Sequence, residues 1–328
     1  VKYYYVALTG SDDNNGLSEE TPVQSIQLAI NRASAYFTTS QNRATVLVGP
    51  GLYESEAAIQ VKSGVNLMGQ GKENTLLRVT SPGETEYVAV YLEPNSALDG
   101  FAIELPGTIS QSPAILVSMG NTGIIRLTNC RMDASENVTV NSIGVRVTGG
   151  TASTFLIADC EIVGVTTGIQ TLNSGVNIAR NLIQSTAGDG ILVEAGAAVP
   201  KQAEPAVPLL GDAEDPDNTG LNRFRDVGGL ALNNTTDVPV QSEANDWDAY
   251  SEPEIEPEVN GPAVWRDNYI GKALVQGTIV VSVLDEASQV IPQTGNPSAS
   301  IPALSLPGVW DSESSTFHIA GVPDGQHT

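Results

Sequence analysis

The chain has 328 residues, room for a long repetitive domain plus a small module, and carries 38 acidic against 15 basic side chains for a net charge of −23. A field of that sign argues against nucleic acid and anionic membrane surfaces as partners. No stretch approaches the eighteen or so consecutive apolar residues of a membrane span, and the opening Val1 suits a processed or trimmed N-terminus.

The first elements in chain order are the most specific. "YYYVALTGSDDNNGLSEETPVQSIQLAINRA" reads as a strand, a Gly/Asp/Asn loop, a Pro turn and an amphipathic helix, with Ile26, Ala29, Ile30 and Ala33 forming the apolar stripe. Asp12, Asn14 and Gly16 have the D-x-N-x-G spacing of a Ca²⁺ loop, but Val23 stands where the closing bidentate acid belongs. A turn of residues that tolerate left-handed backbone is the other reading. "ATVLVGPGLYESEAAIQVKSGVNLMGQG" then reads as strand, turn, strand, turn.

Gly10, Asp12, Asn14, Gly16, Pro22, Ser25, Ile26 and Ala29, followed by Pro50, Gly51, Tyr53, Gly69 and Gly71, resemble the start of the pectate-lyase-like right-handed β-helix superfamily. The resemblance is to the N-terminal domain of unknown function found on secreted β-helix proteins, some of them family nine polysaccharide lyases. It implies that the helix caps the open end of a solenoid. Fold follows from such a likeness better than chemistry does.

Beyond the first coils a phrase recurs. "LTNCRM", "IADCEI", "IARNLI", "GLNRF" and "SEANDW" place Cys130, Cys160, Asn181, Asn222 and Asn245 in one slot, each followed two residues later by an apolar side chain. A second phrase sets Gly144, Gly168, Gly190 and Gly229 before short alternating runs rich in β-branched residues. Repeats of about 20 to 30 residues built from short strands describe a parallel β-helix, whose equivalent residues stack about 4.8 Å apart. The Cys/Asn slot is then one inward-facing ladder, in which stacked Asn side chains bond each other and the turn backbone. Cys130 and Cys160 fall in neighbouring coils, where either a disulfide or a reduced pair fits. The Pro- and acid-rich segment 195–219 reads as an insertion interrupting one coil. Its Glu214, Asp215, Asp217 and Asn218 have the oxygen chemistry of a Ca²⁺ site, with a solvated acidic loop as the alternative.

Catalytic signals are sparse. His318 and His327 lie beyond the solenoid, Asp189 is a lone acid at a turn, and Asp133, Asp159 and Asp226 occupy different ladder positions. Lys201, near Asp212, Asp215 and Asp217, is the basic residue beside an acid cluster that a lyase would use. Asn137, Asn233 and Asn234 match the glycosylation acceptor pattern. At the C-terminus, Gly277 to Asp285 and Phe317 to His327 resemble an Ig-like module of the carboxypeptidase-regulatory type.

The sequence thus predicts an all-β chain: an N-terminal strand, loop and capping helix over 1–43, a right-handed parallel β-helix over 44–270, and a small Ig-like β-sandwich over 271–328 lacking its last strand. Two functions stay open. One is a secreted, non-enzymatic structural or adhesive surface protein, self-associating into a filament by donation of the strand "VKYYYVALTG" to the open edge of the sandwich, unless Tyr3 to Leu8 joins the solenoid's own first coil. The other is a Ca²⁺-dependent polysaccharide lyase or a glycan-binding β-helix.

Overall fold

The computed structural model describes residues 1–37, 43–80, 86–120, 122–151, 154–196, 205–212, 220–247, 255 and 258–264, and the backbone of short strands between 277 and 322. The chain divides into two units, residues 1–246 with 256–269, and residues 247–255 with 270–328.

The first unit is a parallel β-helix. Three parallel sheets of ten, eight and seven strands run along it, called here A, C and B respectively. Each coil visits them in the order A, B, C. Ile125–Thr128, Arg131–Asp133 and Ser142–Thr148 make one coil, and Phe155–Ala158, Glu161–Val163 and Thr167–Leu172 the next. Residues pair in register from coil to coil, as in Met132 with Ile162 and Val145 with Ile169. The strands are short because only two to seven residues fit between corners. Their inward positions are Val, Ile, Leu and Phe at or near zero exposure, among them Leu127, Ile157, Ile178, Ile162 and Ile183.

Lys2–Val6 pairs in parallel with Ala44–Val48 at the edge of sheet A, and Tyr5 also exchanges backbone bonds with Gly16 and Val23. The strand expected to be donated to another subunit is therefore already bound within its own chain, which corrects that expectation. The helix α1 (Ile26–Ser34) buries Ile26, Ala29, Ile30 and Ala33. The Gln27 side chain ties it to the third strand of the first coil, donating to Gln60 O and accepting from Gln60 N–H.

The corner between sheets A and B explains the recurring phrase. Among the described residues its first residue takes positive φ in each coil from the third to the eighth: Gly100 (75°), Asn129 (52°), Asp159 (58°), Arg180 (59°), Leu221 (57°) and Ala244 (56°). The second residue points inward and is buried: Phe101, Cys130, Cys160, Asn181, Asn222 and Asn245. A left-handed residue at a non-Gly position is costly, and the bonds made by its neighbour offset that cost.

Two expectations are corrected in this unit. The segment 195–219 is no simple insertion, because Leu209–Gly211 within it is a strand of sheet A, between Asn177–Ala179 and Val240–Ser242. The glycine column runs Gly144, Gly168, Gly190, Ala231, not Gly229: Ile191 pairs with Leu232, so Ala231 takes the next rung. The column is crowded where it faces the core. A Cβ on Gly168 would sit 2.4 Å from Gly190 O and 2.8 Å from Ile183 Cγ2.

In the second unit, Gly277–Ser282 and Val309–Asp311 flank Thr316–Val322 in an antiparallel sheet, and Ser300–Ile301 pairs with Leu306–Pro307.

Candidate functional site

The ladder residues come together as one hydrogen-bonded chain. Cys160 N–H donates to Asn181 Oδ1 at 2.9 Å, Asn181 N–H to Asn222 Oδ1 at 3.1 Å, and Asn222 N–H to Asn245 Oδ1 at 3.0 Å. Each amide nitrogen is used as well: Asn181 Nδ2 donates to Ile157 O (3.0 Å) and Asn222 Nδ2 to Ile178 O (2.8 Å). Cys130 and Cys160 extend the column as free thiols, donating to Thr128 O at 3.2 Å and Ala158 O at 3.3 Å. Burial pushes both thiols up, Cys160 to about 12, so neither is a thiolate nucleophile. This column has no access to solvent and is internal scaffolding.

The proposed cation ligands Glu214, Asp215, Asp217 and Asn218 lie outside the described residues, as do Lys201 and His327. His318 sits in the strand Thr316–Val322 of the second unit. Among the described residues no group of three or more His, Cys, Asp or Glu is placed to hold a metal, and no helix is long and apolar enough to cross a membrane. Asp12 is spent on the fold: its Oδ1 accepts from Gln24 N–H (3.0 Å) and Ser25 N–H (2.8 Å), and its Oδ2 bonds the Ser25 hydroxyl. Partial burial pushes the Asp12 carboxyl up, but these bonds outweigh it and hold the group below its ordinary value. Asn14 Nδ2 is likewise taken by Pro22 O. Two of the glycosylation matches are closed off, since Asn137 and Asn234 are buried with their amides donating to backbone carbonyls.

The outer face of sheet C carries a different arrangement. One register column runs Gln60, Tyr91, Ser118, Arg146, Gln170, Leu192, Asn233, Asn260 across eight strands. Arg146 Nη1 donates to Glu86 Oε1 at 2.6 Å and its Nε to Gln170 Oε1 at 2.9 Å, while Gln170 Nε2 donates to Glu194 Oε2 at 2.7 Å. A second string follows, with Asn233 Nδ2 donating to Asp189 Oδ2 at 2.7 Å and Asn260 Nδ2 to Asn233 Oδ1 at 2.9 Å. Tyr91 packs against a buried apolar cluster of Val88, Ile115 and Ile143. Burial raises the Tyr91 phenol, and Glu86 adds to the rise while Arg146 opposes it. The phenol is therefore a neutral hydrogen-bond donor at physiological pH.

Sequence reasoning missed this row, although a signal existed: Arg146 and Gln170 each stand two residues after a column glycine. A cleft of 520 Å³ between the start of α1 and the first coil, lined by Leu8, Gln24, Gln27, Leu52, Glu54 and Glu56 among others, is a weaker candidate. Two of its polar groups are consumed within the chain, Gln27 on Gln60 and Ser25 on Asp12. The sheet C row sets planar polar groups, bonded mainly to one another and partly exposed, in one register column with an aromatic ring, a surface suited to a polyhydroxylated ligand.

The register pattern defines the chain as a parallel β-helix protein. No protein-family model matches it, and no curated protein does. Among solved structures it is similar to the pectin methylesterase PemA from Erwinia chrysanthemi (11% identity, 89% of this chain and 85% of that one, TM-score 0.36). It is also similar to the pectin methylesterase from carrot (14%, 83% and 79%, TM-score 0.38) and to a rhamnogalacturonan lyase (11%, 75% and 74%, TM-score 0.35). At such scores the likenesses carry no argument about activity, and the fold assignment rests on the strand pairing itself.

Proposed function

We propose that this is an extracellular β-helix that binds a polysaccharide along the outer face of sheet C, the second of the two functions the sequence leaves open, in place of a purely structural role. The observation carrying the proposal is the hydrogen-bonded row Glu86, Arg146, Gln170, Glu194 beside Tyr91, set across successive coils. Carboxylate, guanidinium and amide groups at coil spacing can exchange their mutual bonds for sugar hydroxyls, and an aromatic ring offers a face for the C–H side of a pyranose. In this reading α1 caps the first coil, the coils wind right-handed as parallel crossovers strongly prefer, and the C-terminal antiparallel strands form an Ig-like connector.

Affinity electrophoresis of the full chain against neutral and acidic polysaccharides tests the proposal. Retardation by at least one polysaccharide that is lost in Arg146→Ala and Tyr91→Ala supports it. Unaltered migration with every polysaccharide overturns it. Formation of an unsaturated uronate chromophore with an acidic polysaccharide and Ca²⁺ would extend the reading from binding to a lyase.

A further inference from the structure

The corner between sheets B and C carries a groove of 400 Å³ lined by Val138, Val140, Ser142, Gly164, Val165, Thr166, Ser185, Thr186, Ala187 and Asp226. It crosses four successive coils, because Ser142, Thr166, Ala187 and Asp226 each belong to a different one. Its walls are fixed by internal bonds: Thr166 N–H donates to Ser142 Oγ at 3.0 Å, Ser142 N–H to Thr166 Oγ1 at 3.1 Å, and the Thr186 hydroxyl to Gly188 O at 2.9 Å. Among the described residues, no hydrogen bond or ion pair engages the Asp226 carboxylate or the Ser185 hydroxyl. Both residues sit at left-handed backbone, Ser185 at φ 52° and Asp226 at φ 50°. Val138, 82% exposed, forms an apolar rim.

We infer that this groove is a subsite for an uncharged sugar unit of the same polysaccharide, an inference that rests on the sheet C reading. Three features select that ligand class. An unengaged carboxylate accepts two neighbouring sugar hydroxyls, and such charge-assisted bonds are the strong ones. Val138 and Ala187 supply the apolar surface that a pyranose C–H face covers. The single charge in the groove is negative, as is the chain as a whole, so a uronate or sulfated unit is repelled there.

Continuity with the sheet C row follows from the strands. Ser142 and Arg146 lie on one strand, Ser142–Thr148, while Thr166 immediately precedes Thr167–Leu172, the strand of Gln170. Each pair is four residues apart, so the groove and the row are at most about 13 Å from one another. A short oligosaccharide spans that distance. The polysaccharide is then one with uncharged units in at least every segment that reaches the corner, and Asp226 is a specificity residue.

Binding of the full chain to a neutral hexose oligomer and to a uronate oligomer of equal length, followed calorimetrically, tests the inference. Asp226→Gly and Ser185→Gly remove the side chains at positions whose backbone suits glycine, so the fold is spared. The expected result is that Asp226→Gly weakens the neutral oligomer about tenfold and leaves uronate binding unchanged or stronger, with Ser185→Gly giving a smaller loss. Neutral-oligomer affinity unchanged in Asp226→Gly, or equal losses for both oligomers, overturns the subsite. Arg146→Ala separates the two readings. If it abolishes binding while Asp226→Gly does nothing, only the subsite falls. If it leaves both oligomers bound, the sheet C reading falls and the subsite with it.

Discussion

The A–B corner and the outer face of sheet C use the same residue types for opposite ends. At the corner, Asn181, Asn222 and Asn245 are fully buried; Asn181 and Asn222 each bond a backbone carbonyl as well as the next Asn side chain, and Asn245 bonds two carbonyls of its own coil. On sheet C, Arg146, Gln170 and Glu194 bond mainly one another, at positions that water or a ligand can reach. A polar row closed on the backbone is scaffold, and a polar row closed on itself at the surface is exchangeable. The difference lies in the partners, since register and spacing are alike.

That contrast can be broken most severely at Asn222. Asn222→Ala leaves the Asn181 N–H and the carbonyls of Ile178 and Leu210 without their partner inside the core. A loss of about 3 to 5 kcal/mol is expected, read as a lower urea midpoint. A change below about 1 kcal/mol would show that the ladder is dispensable.

Gly168→Ala probes packing in the same core without removing a polar side chain. The added methyl meets Gly190 O and the Ile183 side chain, and a cost of about 1 to 3 kcal/mol is expected in the same denaturation assay.

The thiol rungs give a pH signature. Their folded pKa lies above the unfolded one, so the native state holds its protons longer. The stability they contribute is complete below about pH 9 and falls as pH rises from there towards 12. At pH 10 the Cys160 contribution to this fall is on the order of 1 kcal/mol, and Cys160→Ala should flatten the alkaline limb. A disulfide reagent at pH 8 should label neither thiol until the protein unfolds.

Smallest of all is the expected effect of Arg146→Ala on stability, below about 1 kcal/mol because the pair with Glu86 is partly exposed. The same substitution should abolish polysaccharide retention. A large stability loss without a binding loss would move the sheet C row into the scaffold class.

The corner was legible in the sequence because an inward slot admits few residue types, so Cys and Asn recur where a buried turn must be satisfied. Phe101 escaped notice as a member of that slot, since an aromatic fills space there without bonding. Gly229 was placed in the wrong column because two glycines precede Leu230 and the true rung is Ala231. The strand Leu209–Gly211 was hidden by its surroundings, as prolines and acids on both sides gave the segment a loop's composition. The sheet C row was least legible. Outward positions tolerate any polar residue, so Arg146 and Gln170 show no shared identity, only a shared offset from glycine.

The ladder also has a direction. Each Asn Oδ1 accepts from the N–H one coil earlier, never the reverse, so Asn245 completes the corner of Asn222, and Asn222 that of Asn181. Asn245 itself turns back on Ser242 O and Glu243 O of its own coil. During synthesis from the N-terminus, a coil carrying such a corner stays unfinished until its successor has emerged. The growing tip of the solenoid is thus its least settled part, and among the described residues Asn245 is the last rung of that dependence.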